Sequence, residues 1–154
     1  MWLSAFLLAA ATVHFTPPEG WRAADTATLP PTVKVMVVGK GKQAFPPSLN
    51  LGVEPFEGSL SDYLAMVKEI NRKEKISWRD LGTIETEMGR ASLSQIEVPT
   101  EWGHVRMMHA ILLHDQTIYN LTAAALKEEF PTYYTSFFTA MRSLALVQSS
   151  DHTD

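Results

Sequence analysis

Three histidines, His104, His109 and His114, fall five residues apart. Imidazole is a common ligand for zinc and other transition metals. On an extended strand a step of five reverses the face, so His104 and His114 point one way and His109 the other. The like-facing pair would stand about 33 Å apart, too far to share one ion. His109, between Met107 and Ile111 in strand alternation, reads as a histidine held within a core. Carboxylates pair at Glu85 and Glu87, on one face of a strand pattern, and at Glu97 and Glu101, flanking Pro99. Glycosidase chemistry needs two carboxyl groups facing across about 5–9 Å of cleft, and neighbours on one wet strand face are an ordinary charged exterior. Ser92 and Ser94 lie inside a strand pattern, with no turn to expose a hydroxyl and no GxSxG nearby. Gly39-Lys-Gly-Lys42 lacks the spacing of a GxxxxGK[ST] phosphate loop, and neither GxGxxG nor HExxH occurs. There is no cysteine, which excludes thiolate nucleophiles, Cys-ligated zinc and iron–sulfur clusters. Asn120-Leu-Thr122 has the form of a glycosylation sequon, at the end of a strand pattern. These residues point to no enzyme, no cofactor and no metal site.

The elements that would carry these groups are legible from periodicity. Thr12–Thr16 looks like a short strand, and Pro17-Pro-Glu-Gly20 like a turn leading into Trp21. Val33, Val35 and Val37 mark a β-branched strand stopped at Gly39. Leu49, Leu51 and Val53 alternate with Asn50, Gly52 and Glu54, a strand with one wet face. Ser59 or Ser61 can cap a helix whose stripe is Leu60, Tyr63, Leu64, Val67 and Ile70; from Ser59, Asp62 falls at the capping-box position. Trp78–Met88, Ala91–Val98 and Trp102–His114 are strands, the second ended by Pro99 and the third apolar on both faces. Asp115-Gln116 is a tight hairpin turn, and Thr117–Leu121 is the last strand. Thr122 then caps a short helix, Ala123–Glu129, before a final helix striped by Tyr134, Phe137, Phe138, Met141 and Leu144. Each large side chain of that stripe is worth about 1.5–3 kcal/mol when buried. Replacing Phe137 or Phe138 by Ala would then cost about 3–5 kcal/mol.

The 154 residues suffice for one domain, and the 45 % apolar content supplies its core without disulfide or metal. Short turns join the strands after residue 76, so they run antiparallel, and helices must cover a strand apolar on both faces. The expected fold class is α+β: a three-layer α/β/α sandwich with a largely antiparallel central sheet. A formal charge of −4 argues against nucleic acid as partner. Lys68, Arg72, Lys73, Lys75 and Arg79 are interrupted by Glu69, Glu74 and Asp80, as on a solvated helix end.

Residues 1–11 form a separate question. Trp2–Ala11 is apolar over ten residues, and Ala9-Ala-Ala11 offers the small side chains an export protease prefers. No Lys or Arg precedes the run. Two readings stand: the remnant of an export signal, which would place the protein in the periplasm or cell envelope, or a segment packed on the domain, which would leave it cytoplasmic. The run is too short for a stable membrane span. Residues 12–148 are read as the single domain and 149–154 as a polar tail.

Several motifs in order resemble the PsbP-like family. Phe15-Thr-Pro-Pro-Glu-Gly-Trp21 is similar to that family's "F-x-x-P-x-G-W" opening. Ser59-Leu-Ser-Asp-Tyr-Leu64 resembles its first long helix, Gly89-Arg-Ala91 the start of a mid-sheet strand with the Ala one residue early, Ile118–Ala124 its last strand entering its helix, and Phe130–Leu144 its terminal helix. The resemblance spans residues 12–147. It implies the sandwich expected above and a largely non-enzymatic role: extrinsic subunits of photosystem II, Ran binders, secretion-associated chaperones and exported bacterial proteins. The residues carrying it are structural: Pro18, Gly20 and Trp21 at the opening turn, and Tyr134, Phe137 and Phe138 on the last helix.

The resulting expectation is a non-catalytic accessory or protein-binding module, exported to a bacterial envelope, a monomer or weak oligomer. The alternatives are a chaperone for a hydrophobic or secreted client, a small-ligand carrier, and a hydrolase with an unrecognised site. Loops are where binding residues concentrate, and Trp is enriched at interface hot spots. Trp21, Trp78 and Trp102 all stand at the edges of elements. Within the loops at 39–48 and 99–103, Phe45, Glu101 and Trp102 form the expected interaction surface.

Overall fold

A computed structural model describes residues 8–10, 13–41 and 44–147. In chain order the elements are β1 (Leu8–Ala10), β2 (Val13–Phe15), β3 (Arg22–Ala23), β4 (Val33–Val38), β5 (Ser48–Pro55), α1 (Leu60–Lys73), β6 (Ser77–Thr86), β7 (Gly89–Thr100), β8 (Gly103–His114), β9 (Thr117–Leu126), α2 (Phe130–Arg142) and β10 (Ala145–Leu146). Seven strands form one sheet in the order β3-β4-β5-β9-β8-β7-β6, every neighbouring pair antiparallel. A small second sheet has the order β1-β2-β10.

Strand parity assigns the two helices to opposite faces of the large sheet. Met108, Ala110 and Leu112 of β8 and Leu121, Ala123 and Ala125 of β9 pack with Phe130, Phe137 and Met141 of α2. Their neighbours Ile111 and Ile118 pack instead with Tyr63, Leu60, Leu64 and Val67 of α1. Successive side chains of a strand point to opposite faces, so helix, sheet and helix make the three layers the sequence implied. The small sheet shares the α2 face, through Val13 and Phe15.

Local signals set two of the element boundaries. Ser59 Oγ accepts from the Asp62 N–H and Asp62 Oδ2 from the Ser59 N–H, a reciprocal capping box at the start of α1. Asp115 and Gln116 both take positive φ, +50° and +56°, giving the two-residue turn whose twist suits a hairpin.

Four expectations are corrected. Ala123–Glu129 is not a helix: β9 continues to Leu126, paired on both sides through Ala124, which stands opposite Ser48 and Met107, and with β8 alone at Ala125 and Leu126. Alanine's helix preference loses to two flanking ladders, and the small side chains at 123 and 125 leave room for the α2 aromatics. Pro99 does not end β7. It pairs with His104, one step behind the turn-closing pair Thr100 and Gly103, while β6 reaches only to Ser77 opposite Glu97. The absent N–H therefore falls on an open edge, where Pro is tolerated. The α2 stripe is rotated: Phe130, Phe137, Ala140 and Met141 are buried, whereas Tyr134 is 47 % exposed and Phe138 only partly covered. The helix begins at Phe130, with Pro131 in its first turn, and a buried face centred on Phe130, Phe137, Ala140 and Met141 leaves Tyr134 and Phe138 on its flank. On α1 only Tyr63 is buried, and Ile70 is exposed beyond the apolar cluster.

Of residues 1–11, only Leu8–Ala10 lie among the described residues, and they pair with Val13–Phe15. The polar tail 149–154 lies outside them. No described helix is long and apolar enough to cross a membrane.

Candidate functional site

The loop after β4 and the hairpin between β7 and β8 meet at one end of the sheet. The hairpin tip is Glu101-Trp102, closed by the Thr100–Gly103 pair. Thr100 Oγ1 accepts from the Trp102 N–H (3.1 Å) and donates to the Gly103 carbonyl (2.7 Å). Gly103 takes φ +119°, a conformation closed to most side chains. The turn thus presents Trp102 outward, 48 % exposed. Phe45 comes across from the other loop, its ring centroid 5.7 Å from that of Trp102 at 46°. Beneath it lie Val105, Met107, Ala124 and Leu126, on the α1 face of the sheet. Glu101 is exposed beside Trp102 and forms no ion pair among the described residues. The three surface residues expected from sequence thus converge, although Phe45 is 57 positions from Trp102.

The other two edge tryptophans are packing residues. Trp21 follows the Pro17–Gly20 turn, where Gly20 takes φ +86° and the Trp21 N–H reaches the Pro18 carbonyl. Its indole meets Tyr133 at 6.2 Å and Phe137 at 6.1 Å, both edge-on. Trp78 is half-buried under Lys68, whose ammonium lies 5.5 Å from the ring centroid.

Gly39 is what admits the Trp21 ring. A Cβ there would fall 2.5 Å from Cε2 and 2.8 Å from Cζ2 of the indole. Gly39→Ala should therefore cost about 1–3 kcal/mol by overpacking, read as a lower urea midpoint. In a Trp21→Phe background the same change should cost less, because the smaller ring gives way. Equal costs in both backgrounds would disprove the contact.

Of the chemistry-bearing residues, His109 is the most constrained. It sits on β8 between Ser94 of β7 and Thr122 of β9. Thr122 Oγ1 donates to Asn120 Oδ1 (3.3 Å), so it accepts from His109 Nδ1 (2.8 Å). Burial pushes the imidazole down to about 4, opposed in part by the Asn120 side chain. The ring is therefore neutral at pH 7. Ser94 Oγ, on the facing strand, is buried with no hydrogen-bond partner among the described residues. A neutral donor chain ending on an amide has no carboxylate to orient a base, so it lacks the third member of a nucleophile triad. Asn120 itself is half-buried in a central strand, paired between Gly52 and Ile111, so the sequon lies in the sheet and not in a surface loop.

The carboxylate pairs separate. Glu85 is bound to Arg90 (2.6 Å), and Glu97 to Arg106 (2.7 Å) and Lys127 (3.3 Å), while Glu101 stays at the hairpin tip. Among the described residues no three His, Cys, Asp or Glu side chains are grouped to hold a metal ion.

The architecture is that of an α+β protein with two helices on an antiparallel seven-stranded sheet, the fold of PsbP and Mog1. The cyanobacterial PsbP (CyanoP) of Synechocystis sp. PCC 6803 is similar at a TM-score of 0.60 and 11 % identity, covering 94 % of each chain. The Ran-binding protein Mog1p of Saccharomyces cerevisiae is similar at 0.58 and 15 %, covering 95 % of this chain and 98 % of its own. A Pseudomonas aeruginosa protein of unknown function is similar at 0.58 and 13 %, covering 96 % and 99 %. No protein-family model and no curated protein matches the sequence.

Proposed function

We propose that this protein is a non-catalytic accessory module that binds another protein through the sheet end where Phe45 and Trp102 meet. The observation that carries the reading is Trp102 itself. A large aromatic held by a hydrogen-bonded two-residue turn, half exposed and tilted against a second ring, loses little freedom when it inserts into a partner's pocket. One protein of the same fold is described as Ran-binding, which agrees with a protein partner.

The test is affinity isolation of the tagged chain from its own host, followed by a binding titration with the captured partner. Trp102→Ala should weaken that binding by about 2 kcal/mol, close to thirtyfold, with thermal stability nearly unchanged. Binding unaffected by Trp102→Ala and by Phe45→Ala would remove this surface from the reading.

Export to the bacterial envelope is the companion reading, supported by the apolar run Trp2–Ala11. Against it stands the pairing of Leu8–Ala10 with β2, which gives that stretch a place in the fold. N-terminal sequencing of the protein from fractionated cells decides between them: a start after Ala11 in the envelope fraction supports export, and a retained Met1 in the cytoplasm refutes it.

A further inference from the structure

On the α2 face, at the outer edge of the sheet, Ser77, Glu97 and Arg106 stand in one cross-strand row, with Arg79 and Gln95 in the next. Together with Lys127, just past β9, they line a cavity of about 210 Å³. Its charges do not cancel. Glu97 is the one carboxylate of the lining, against three cations, Arg79, Arg106 and Lys127. Glu97 is already engaged: Oε2 accepts from Arg106 Nε (2.8 Å) and Nη2 (2.7 Å), and Oε1 lies 3.3 Å from Lys127 Nζ. The Arg106 hydrogen bond, with Lys127 behind it, holds this carboxyl below its usual range. Arg106 is further fixed by the Phe130 ring, 5.6 Å from its guanidinium carbon. Arg79 has no carboxylate partner among the described residues. Three cations less one carboxylate leave the lining at +2, in a chain whose formal charge is −4.

We propose that this pocket binds a phosphoryl group. A phosphate monoester carries about −1.5 to −2 at pH 7, which matches the surplus, whereas a lone carboxylate would leave half of it. The free Arg79 fork suits the bidentate geometry that phosphate oxygens accept, and the Ser77 hydroxyl and Gln95 amide supply neutral donors. The cavity's volume is about 210 Å³ and its rim is open, with Ser77, Arg79 and Lys127 exposed. That volume admits a phosphoryl head but falls short of the roughly 300–1,000 Å³ that encloses a whole small molecule. The site therefore reads a head group and leaves the rest of the ligand outside. It lies on the face opposite the Phe45–Trp102 patch and does not depend on that patch binding anything.

The test is an NMR titration of the ¹⁵N-labelled full chain with inorganic phosphate, at ionic strength held constant with chloride. Saturable shifts are expected at Arg79, Gln95, Arg106 and Lys127. Arg79→Gln and Lys127→Gln should each weaken binding about tenfold, through one lost charge-assisted contact. Both side chains are exposed, and unchanged dispersion elsewhere in the spectrum verifies the fold of each variant. A phosphoserine peptide and glycerol phosphate then separate the sources. Tighter binding of the peptide assigns a phosphorylated protein segment, and binding of the ester at least as tight assigns a small metabolite; both uphold the site. Shifts that do not saturate, or that persist unaltered in both variants, overturn it.

Discussion

Phe137→Ala is expected to lower folding stability by about 3–5 kcal/mol, enough to leave a domain of ordinary stability close to unfolded. The side chain is fully buried. Its ring touches Trp21 (6.1 Å), Phe130 (5.1 Å) and Tyr133 (6.1 Å), so its loss leaves a cavity among rings that cannot easily collapse into it. Phe138→Ala should cost clearly less, because Phe138 is only partly covered and packs on exposed Tyr134 and Arg142. The sequence alone put both near the same cost; the rotation of α2 separates them. Chemical denaturation of the two variants side by side measures the difference. Equal losses would mean that the helix presents another face to the sheet.

Acidification should destabilise the protein through His109. Its pKa falls from 6.5 in an unstructured chain to about 4 in the fold. Between those values the unfolded chain binds the proton and the folded one does not, so stability rises with pH across the window. The contribution is complete above about 6.5 and is lost as pH falls toward 4. The full gap corresponds to about 3 kcal/mol at most. The side chains flanking the ring, Ser94 and Thr122, are neutral, so no partner charge relieves the cost of protonation. Carboxylates titrate near the lower end of the same window, and comparison with His109→Gln isolates the imidazole. The variant should show a flatter stability curve between pH 6.5 and 4. Parallel curves would refute the buried neutral ring.

What could be read from the sequence divides by the range of the interaction. The Ser59–Asp62 capping box and the Asp115–Gln116 turn are contacts between near neighbours, and both were visible as short patterns. The Leu49–Glu54 alternation was visible as apolar against polar residues, although the polar face proves half-buried, with Glu54 accepting from the Tyr63 hydroxyl of α1. The Thr122–Leu126 stretch misled, because nothing local says that β8 pairs along all of it and β5 as far as Ala124. Two-residue β3 and β10 left no periodicity to find, since their partners define them. The candidate site follows the same division. Phe45 and Trp102 could be singled out as loop aromatics, and the fold brings them together. The cationic pocket was invisible, because Arg79, Arg106 and Lys127 come from separate places along the chain and only register gathers them.

The small sheet carries a consequence in time. β10 pairs with β2, and the Thr16 N–H reaches Ser143 Oγ across 127 residues. Closing a loop of that length costs roughly 2 kcal/mol more than closing a hairpin of about ten residues. The hairpins from β6 to β9 join consecutive strands and can assemble first. The β2–β10 clasp, with the longest loop to close, is expected to form last, after the folding barrier. Contacts made that late do little to hasten folding; they act on the rate of opening. The clasp is a latch on the native state's lifetime, and the large sheet beneath it sets how quickly that state is reached.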